Sequence, residues 1–254
     1  MTLNLIIMQD DIISAEMLIE NERINLFNSD SLFRGAVYTM LSAQEKYTNQ
    51  IVMYAKLLKQ GLDNPDAILH NRKAVAEIIR REKKYLSLIN LSKWWQDTYI
   101  ANDILDDIKN GRKQEFEIRN RIAEHKKATG LNYKGASLFL NLCLYLNVVA
   151  IDSWTLRALV AEDYPIKAYK APEESVKNFK HVYIGKGLYR DRGVTVRKEY
   201  ELYEQFFREL TGNYNSLHNF NFTPFEFRQI LWVKRSTWGK EFGNDSKRYE
   251  IEFI

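Results

Sequence analysis

A chain of 254 residues with 45% apolar and 13% aromatic content is long enough to bury a core, as one domain or as two lobes. Its formal charge is only +4, so attraction to nucleic acid must come from local basic surface and not from bulk charge. The single cysteine, Cys143, lies inside an apolar run; it excludes a disulfide framework, a CxxC zinc site and a cysteine-held iron–sulfur cluster, and reads as a buried core thiol.

The N-terminal stretch MTLNLIIMQDDIISAEMLIE has no basic leader, and Asp10 and Asp11 interrupt its apolar start. It reads as neither a signal peptide nor an anchor, which leaves a cytoplasmic protein as the expectation. From Asp10 to about Asn28, Ile12, Ile13, Met17, Leu18, Ile24 and Leu26 recur at helical spacing and predict an amphipathic helix with a break near Asn21. The polar stretch Asn28 to Ser31 supplies capping residues, after which a helix is predicted over Leu32 to Tyr47 and another over Gln50 to Leu58. Gly61 to Pro65 reads as a turn, and Pro65 with Asp66 opens a short helix toward Leu69. Helical periodicity then continues over Ala74 to Leu88, Ser92 to Asp107 and Asn110 to Lys127, with no convincing alternating strand. The first 150 residues are therefore expected to be all helical.

Ala128 to Tyr133 is a very short connection containing Gly130, so the flanking segments read as a tight helical hairpin. Such a hairpin can point the N–H groups of its second helix at an anion such as phosphate. The second helix runs from Lys134 to about Leu146, and its stretch from Ala136 to Leu146 is an almost unbroken apolar run interrupted by Asn141, so it is expected to be the central buried helix. A short helix is predicted from Asp152 to about Ala161, and Tyr164 to Pro172 reads as loop.

Residues 177–200 carry seven Lys or Arg against two acids, a local excess of +5, with Phe179, Tyr183 and Tyr189 interleaved. Three glycines punctuate short β-leaning runs there, so a hairpin or loop is expected, with Lys186 and Arg190 as candidate contacts to a nucleic-acid backbone. A merely solvated insertion is the other reading. Helices are then predicted over Glu199 to Leu210 and over Phe225 to Trp232, the latter opened by Thr223, Pro224 and Glu226.

Two residues in the central stretch carry candidate chemistry. Lys134 falls in the first turn of a helix, where the partial positive charge of unpaired N–H groups disfavours an ammonium ion and can free the amine as a nucleophile. A surface lysine whose stem reaches back to water explains it equally well. Asp152 is suited to cap the helix that follows it, and a carboxylate held that way can also face a developing positive charge. A helix from Lys134 to Leu146 is about 20 Å long, and an extended return to Asp152 covers about the same distance, so the two can meet.

The context of this pair, GLNYKGASLFL followed eighteen residues after the lysine by AIDSWTLR, resembles the helix-hairpin-helix DNA glycosylase superfamily, and within it the archaeal-type 8-oxoguanine DNA glycosylase/AP lyases. Leu41 to Gln44 is similar to the superfamily's early helix and FEFRQILW to this class's C-terminal helix, so that the likeness covers about two thirds of the chain. The resemblance implies a mostly α, two-lobed fold with an interlobe cleft, to which this chain adds the short β-leaning basic insertion. One lobe would comprise residues 28–148, and the other 1–27 with 149–254. It implies that Lys134 attacks C1′ of a damaged nucleotide and forms a Schiff base, that Asp152 stabilises the oxocarbenium-like sugar, and that β-elimination nicks the strand without metal or cofactor. Gly130 and Asn132 would hold the DNA backbone, Gln44 would fill the hole left by a flipped base, and Trp232 with Tyr133 would line the base pocket. The implied partner is double-stranded DNA carrying a damaged base, met by a nucleoid-associated monomer without a membrane. The same chemistry on another modified base, a non-catalytic DNA-binding module and a helical protein-interaction scaffold are the alternatives.

The chain departs from the family at three points. The family's hairpin reads glycine, hydrophobic residue, glycine, whereas here the third position is Asn132, expected to take the left-handed conformation in place of glycine. The chain continues 22 residues past Trp232, and the basic insertion is longer than the family's connection.

Overall fold

The computed structural model describes residues 7–24, 32–43, 47–98, 100–111, 113–125, 128, 130–152, 155–156, 158–159, 162, 164 and 196–235. Every regular element among them is a helix, so the fold is mostly α. The predicted β-leaning insertion lies outside the described residues up to 195, as do Gln44, Lys186 and Arg190. Among the described residues no helix is long and apolar enough to cross a membrane.

In chain order the helices are α1 (Gln9–Ile24), α2 (Leu32–Leu41), α3 (Tyr47–Lys59), α4 (Pro65–His70), α5 (Arg72–Ile78), α6 (Glu82–Thr98), α7 (Ile100–Lys109), α8 (Glu115–Glu124), α9 (Tyr133–Leu144), α10 (Arg197–His218) and α11 (Pro224–Arg235). The described residues fall into two compact units, one formed by those up to Glu20 with those from Val149 onward, the other by Asn21 to Val148.

In the unit ending at Val148, α9 packs on α2 and α8, while α2 also packs on α3 and α6. The apolar run of α9 dictates this position, since Ala136, Phe139, Leu140 and Leu142 are completely buried. An edge-to-face chain of rings, Phe33 on Trp95 and Trp95 on Phe139, fills the space between α2, α6 and α9. Gly35 of α2 allows the closest approach, because a Cβ there would stand 2.0 Å from the sulfur of Cys143 on α9. Cys143 is the buried core thiol expected of it, and burial pushes its ionisation well above the ordinary thiol range.

Several predicted helices are divided in the structure. The segment read as one helix from Asn110 to Lys127 begins only at Glu115: α7 ends at Lys109, and Gly111 turns the chain with φ +58° before Gln114 donates its N–H to Glu117. Asp107, buried near the end of α7, is covered by the cations of Lys113 and Arg121, at 2.8 and 2.7 Å, which hold its carboxyl below the usual range. The run predicted over Ala74 to Leu88 is interrupted between α5 and α6, where buried Ile79 anchors a non-helical connection. The run over Ser92 to Asp107 is likewise shared between α6 and α7, and that over Leu32 to Tyr47 ends at Leu41, with α3 starting at Tyr47.

Asn141, an amide within the apolar helix, has a structural task. Its amide donates to the carbonyls of Leu146 and Val148 at 2.5 and 2.6 Å and so fastens the chain that leaves α9. Tyr145 assists by adopting the left-handed conformation, φ +53°, that ends the helix. Replacing Asn141 with leucine overfills its buried site and removes the donor from the Val148 carbonyl, while the Leu146 carbonyl keeps only the Val148 N–H, so a loss of about 2–4 kcal/mol is expected. Urea denaturation, read as a shift in midpoint at constant slope, measures it.

In the other unit, α10 packs on α11 through Phe207 and Tyr214, whose rings lie 5.8 and 5.0 Å from Phe227. Thr223 and Glu226 form the reciprocal cap that the sequence predicts for α11: the Thr223 N–H donates to the Glu226 carboxylate at 2.8 Å, and the Glu226 N–H to the Thr223 hydroxyl at 3.2 Å. Lys234 near the end of α11 pairs with Asp11 of α1 at 2.8 Å.

Candidate functional site

The hairpin of α8 and α9 is built around Gly130. Its φ of +93° and the 2.5 Å that would separate an added Cβ from Cγ of Met40 together demand glycine. Asn132 does not take the left-handed conformation expected of it: its backbone is extended, with φ −64° and ψ −179°, and it caps α9. The glycine already supplies the positive φ, which leaves the asparagine side chain to accept from the Gly135 N–H at 3.0 Å. One N–H that the hairpin was expected to offer a phosphate is therefore already occupied.

Lys134 stands in the first turn of α9, as expected, and is half-buried, whereas its helical neighbours from Gly135 to Cys143 are buried. Tyr133, expected to line a base pocket, is buried in its own hairpin. Its hydroxyl donates to Glu124 at 2.8 Å, joining the end of α8 to the start of α9, and the guanidinium of fully buried Arg119 lies 5.7 Å from its ring centre.

Asp152, in the other unit, is only 9% exposed. As the sequence predicts, it caps the residues after it: Oδ1 accepts from the Thr155 N–H at 3.0 Å, and the Asp152 N–H donates to the Thr155 hydroxyl at 2.7 Å. Its other oxygen, Oδ2, accepts from Arg228 of α11 at 2.5 Å, with both side chains buried. The carboxylate is thus held by a backbone donor on one oxygen and a guanidinium on the other.

The chain leading to Asp152 is fixed as firmly. The hydroxyl of buried Tyr200 accepts from the Ile151 N–H at 2.9 Å and donates to the Val149 carbonyl at 2.8 Å. The Val149 N–H donates to buried Glu204 at 2.8 Å, and Arg208 pairs with the same Glu204 oxygen at 2.9 Å. All three side chains come from α10, which begins two residues before the helix start predicted at Glu199, so that Arg197 and Lys198, expected to belong to the basic insertion, are helical. They are helical because Tyr200 and Tyr203 must both face the core, a spacing that a strand could not provide.

Sequence reasoning did not pick out Tyr200, Glu204 or Arg228. A signal for Arg228 was present, since a charged residue inside the apolar run FEFRQILW must be paired if that run is buried. Trp232 lies one helical turn beyond Arg228 and is half-buried. Among the described residues no cluster of His, Cys, Asp and Glu is arranged to hold a metal ion. Comparison of the chain with protein-family models, with curated proteins and with solved structures gave no match.

Proposed function

We propose that this chain is a bifunctional DNA glycosylase/AP lyase of base-excision repair that removes 8-oxoguanine. The observation that supports the reading is the state of the two candidate residues. A half-buried amine sits in the first turn of the core helix behind a glycine-dependent hairpin, and a buried carboxylate eighteen residues later is bonded by Arg228 and a backbone N–H.

In this reading the Lys134 amine attacks C1′ and the bond from C1′ to the base breaks, the base leaving with a proton. Asp152 stabilises the positive charge that develops on the sugar. The adduct opens to a Schiff base, loss of a C2′ proton expels the 3′ phosphate, and hydrolysis releases the sugar fragment and restores the amine. The chemistry needs both groups at one nucleotide.

The test is borohydride trapping. The protein is incubated with a duplex carrying 8-oxoguanine, the imine is reduced, and the covalent complex is read on a denaturing gel. Trapping with 8-oxoguanine supports the full reading, and trapping only with another lesion of a panel moves the substrate to that base. No adduct with any lesion or abasic site overturns it. Salt-dependent DNA binding without an adduct would then leave a binding module.

A further inference from the structure

We propose that Arg228 is a positioning residue for the lysine chemistry, acting through Asp152; the inference rests on the glycosylase reading above. The pairing is more than proximity. Arg228 is 6% exposed and gives one arm of its guanidinium to Oδ2 of Asp152 and the other to the side-chain oxygen of its neighbour Gln229. Its Nε finds no partner among the described residues. A guanidinium this deeply buried is costly to place unless its anion is present, so the pair holds each member charged.

The other side of Asp152 is closed by Thr155, which takes Oδ1 through its N–H and the aspartate's own N–H through its hydroxyl. On α10, Tyr200 is bonded to the backbone at 149 and 151, and Glu204 to the Val149 N–H and to Arg208. Arg228 thus holds Oδ2 of Asp152 through one arm of its guanidinium, while the Thr155 N–H holds Oδ1, and together the two bonds orient the carboxylate. The place of Arg228 one turn before Trp232 on α11 puts this control on the same helix as the tryptophan assigned to the base pocket.

The sign follows from the pairing. A neighbouring cation lowers a carboxylate's pKa by about one to three units. Removing it while burial remains raises that pKa, and an Asp152 that must be ionised then fails at a higher pH.

The experiment uses the full chain and the lesion duplex that gives the wild-type adduct. Trapping rates are measured under single-turnover conditions from acid to neutral pH for wild type, Arg228→Met and Arg228→Lys, with the fold checked by thermal melting. Arg228→Met is expected to slow trapping at least tenfold at mildly acidic pH and to move the acid limb of the profile up by about one to three pH units. Arg228→Lys keeps the charge without the fork, so its acid limb stays near wild type while its rate falls several-fold. In protein labelled with carbon-13 at the aspartate carboxyls, the Asp152 signal, assigned by its loss in Asp152→Asn, should titrate higher in Arg228→Met.

If Arg228→Met does not fold, Arg228→Lys decides alone, and a wild-type rate in that variant overturns the inference. So do a wild-type pH profile and an unmoved Asp152 titration in folded Arg228→Met. A wild type that forms no adduct brings down the glycosylase reading and the catalytic part of this inference together. The carbon-13 titration still reports the pairing itself, which separates the two failures.

Discussion

Lys134→Gln is expected to abolish the borohydride adduct on every lesion duplex while leaving the melting temperature of the protein close to wild type. The loss is complete because glutamine has no amine to form an imine, and a residual adduct would name another lysine as nucleophile. The stability side follows from position. Lys134 is half-buried in the first turn of α9, where an ammonium opposes the partial positive charge of the helix terminus. Removing that charge contributes about 0.3–1 kcal/mol in favour of the fold. Glutamine and lysine have similar helix propensities, so the backbone of α9 is expected to be indifferent to the exchange. Thermal melting and the trapping gel on the same preparation check both halves. A large drop in melting temperature accompanying the lost adduct would assign Lys134 to the scaffold and count against the chemistry.

The elements that could be read from the sequence are those whose ends are written in side chains. Asn64 before Pro65 caps α4 by accepting from the Ala67 N–H at 2.9 Å, and Thr223 before Pro224 starts α11 in the same local way. The central helix could be read because its apolar run is incompatible with a surface position. What was misjudged depends on contacts distant in sequence. The helix predicted to end at Leu210 continues through Thr211 and Gly212 to His218, because Tyr214, 1% exposed, buries its ring against Phe227. That burial outweighs the roughly 1 kcal/mol that a mid-helix glycine costs.

The site shows the same division. Asp152 as a cap and Lys134 in a first turn are local facts, and both were legible. Arg228 lies 76 residues from its partner and Tyr200 49 residues from the backbone N–H that it receives. No periodicity reports a pairing of that range. Asn132 failed for a subtler reason: its ability to adopt a left-handed conformation and its ability to cap a helix are both properties of a short polar side chain. The backbone of Gly130 decided which one was used.

Gly35→Ala should loosen the contact between α2 and α9, and its effect is a contest between two terms. Alanine in place of glycine within a helix is intrinsically favourable by about 1 kcal/mol. Against this, the new Cβ would lie 2.0 Å from Sγ of Cys143, well inside contact distance, with Cβ of Cys143 and a ring carbon of Phe139 already at 3.6 Å on the same side. Cys143 is 5% exposed and Phe139 completely buried, so neither can yield toward solvent. Overpacking of a core costs about 1–3 kcal/mol and sometimes more, and here α2 and α9 would have to separate along the contact that centres their unit. A net loss of up to about 2 kcal/mol is expected, read as a lower urea midpoint. The cause can be isolated with a double-mutant cycle. Cys143→Ala alone leaves a small void and should cost about 1 kcal/mol. In the double variant Gly35→Ala/Cys143→Ala the added methyl occupies the volume that the sulfur vacates, so the pair should be more stable than Gly35→Ala alone. A double variant no better than the sum of the two singles would show that the glycine is required for a reason other than this sulfur.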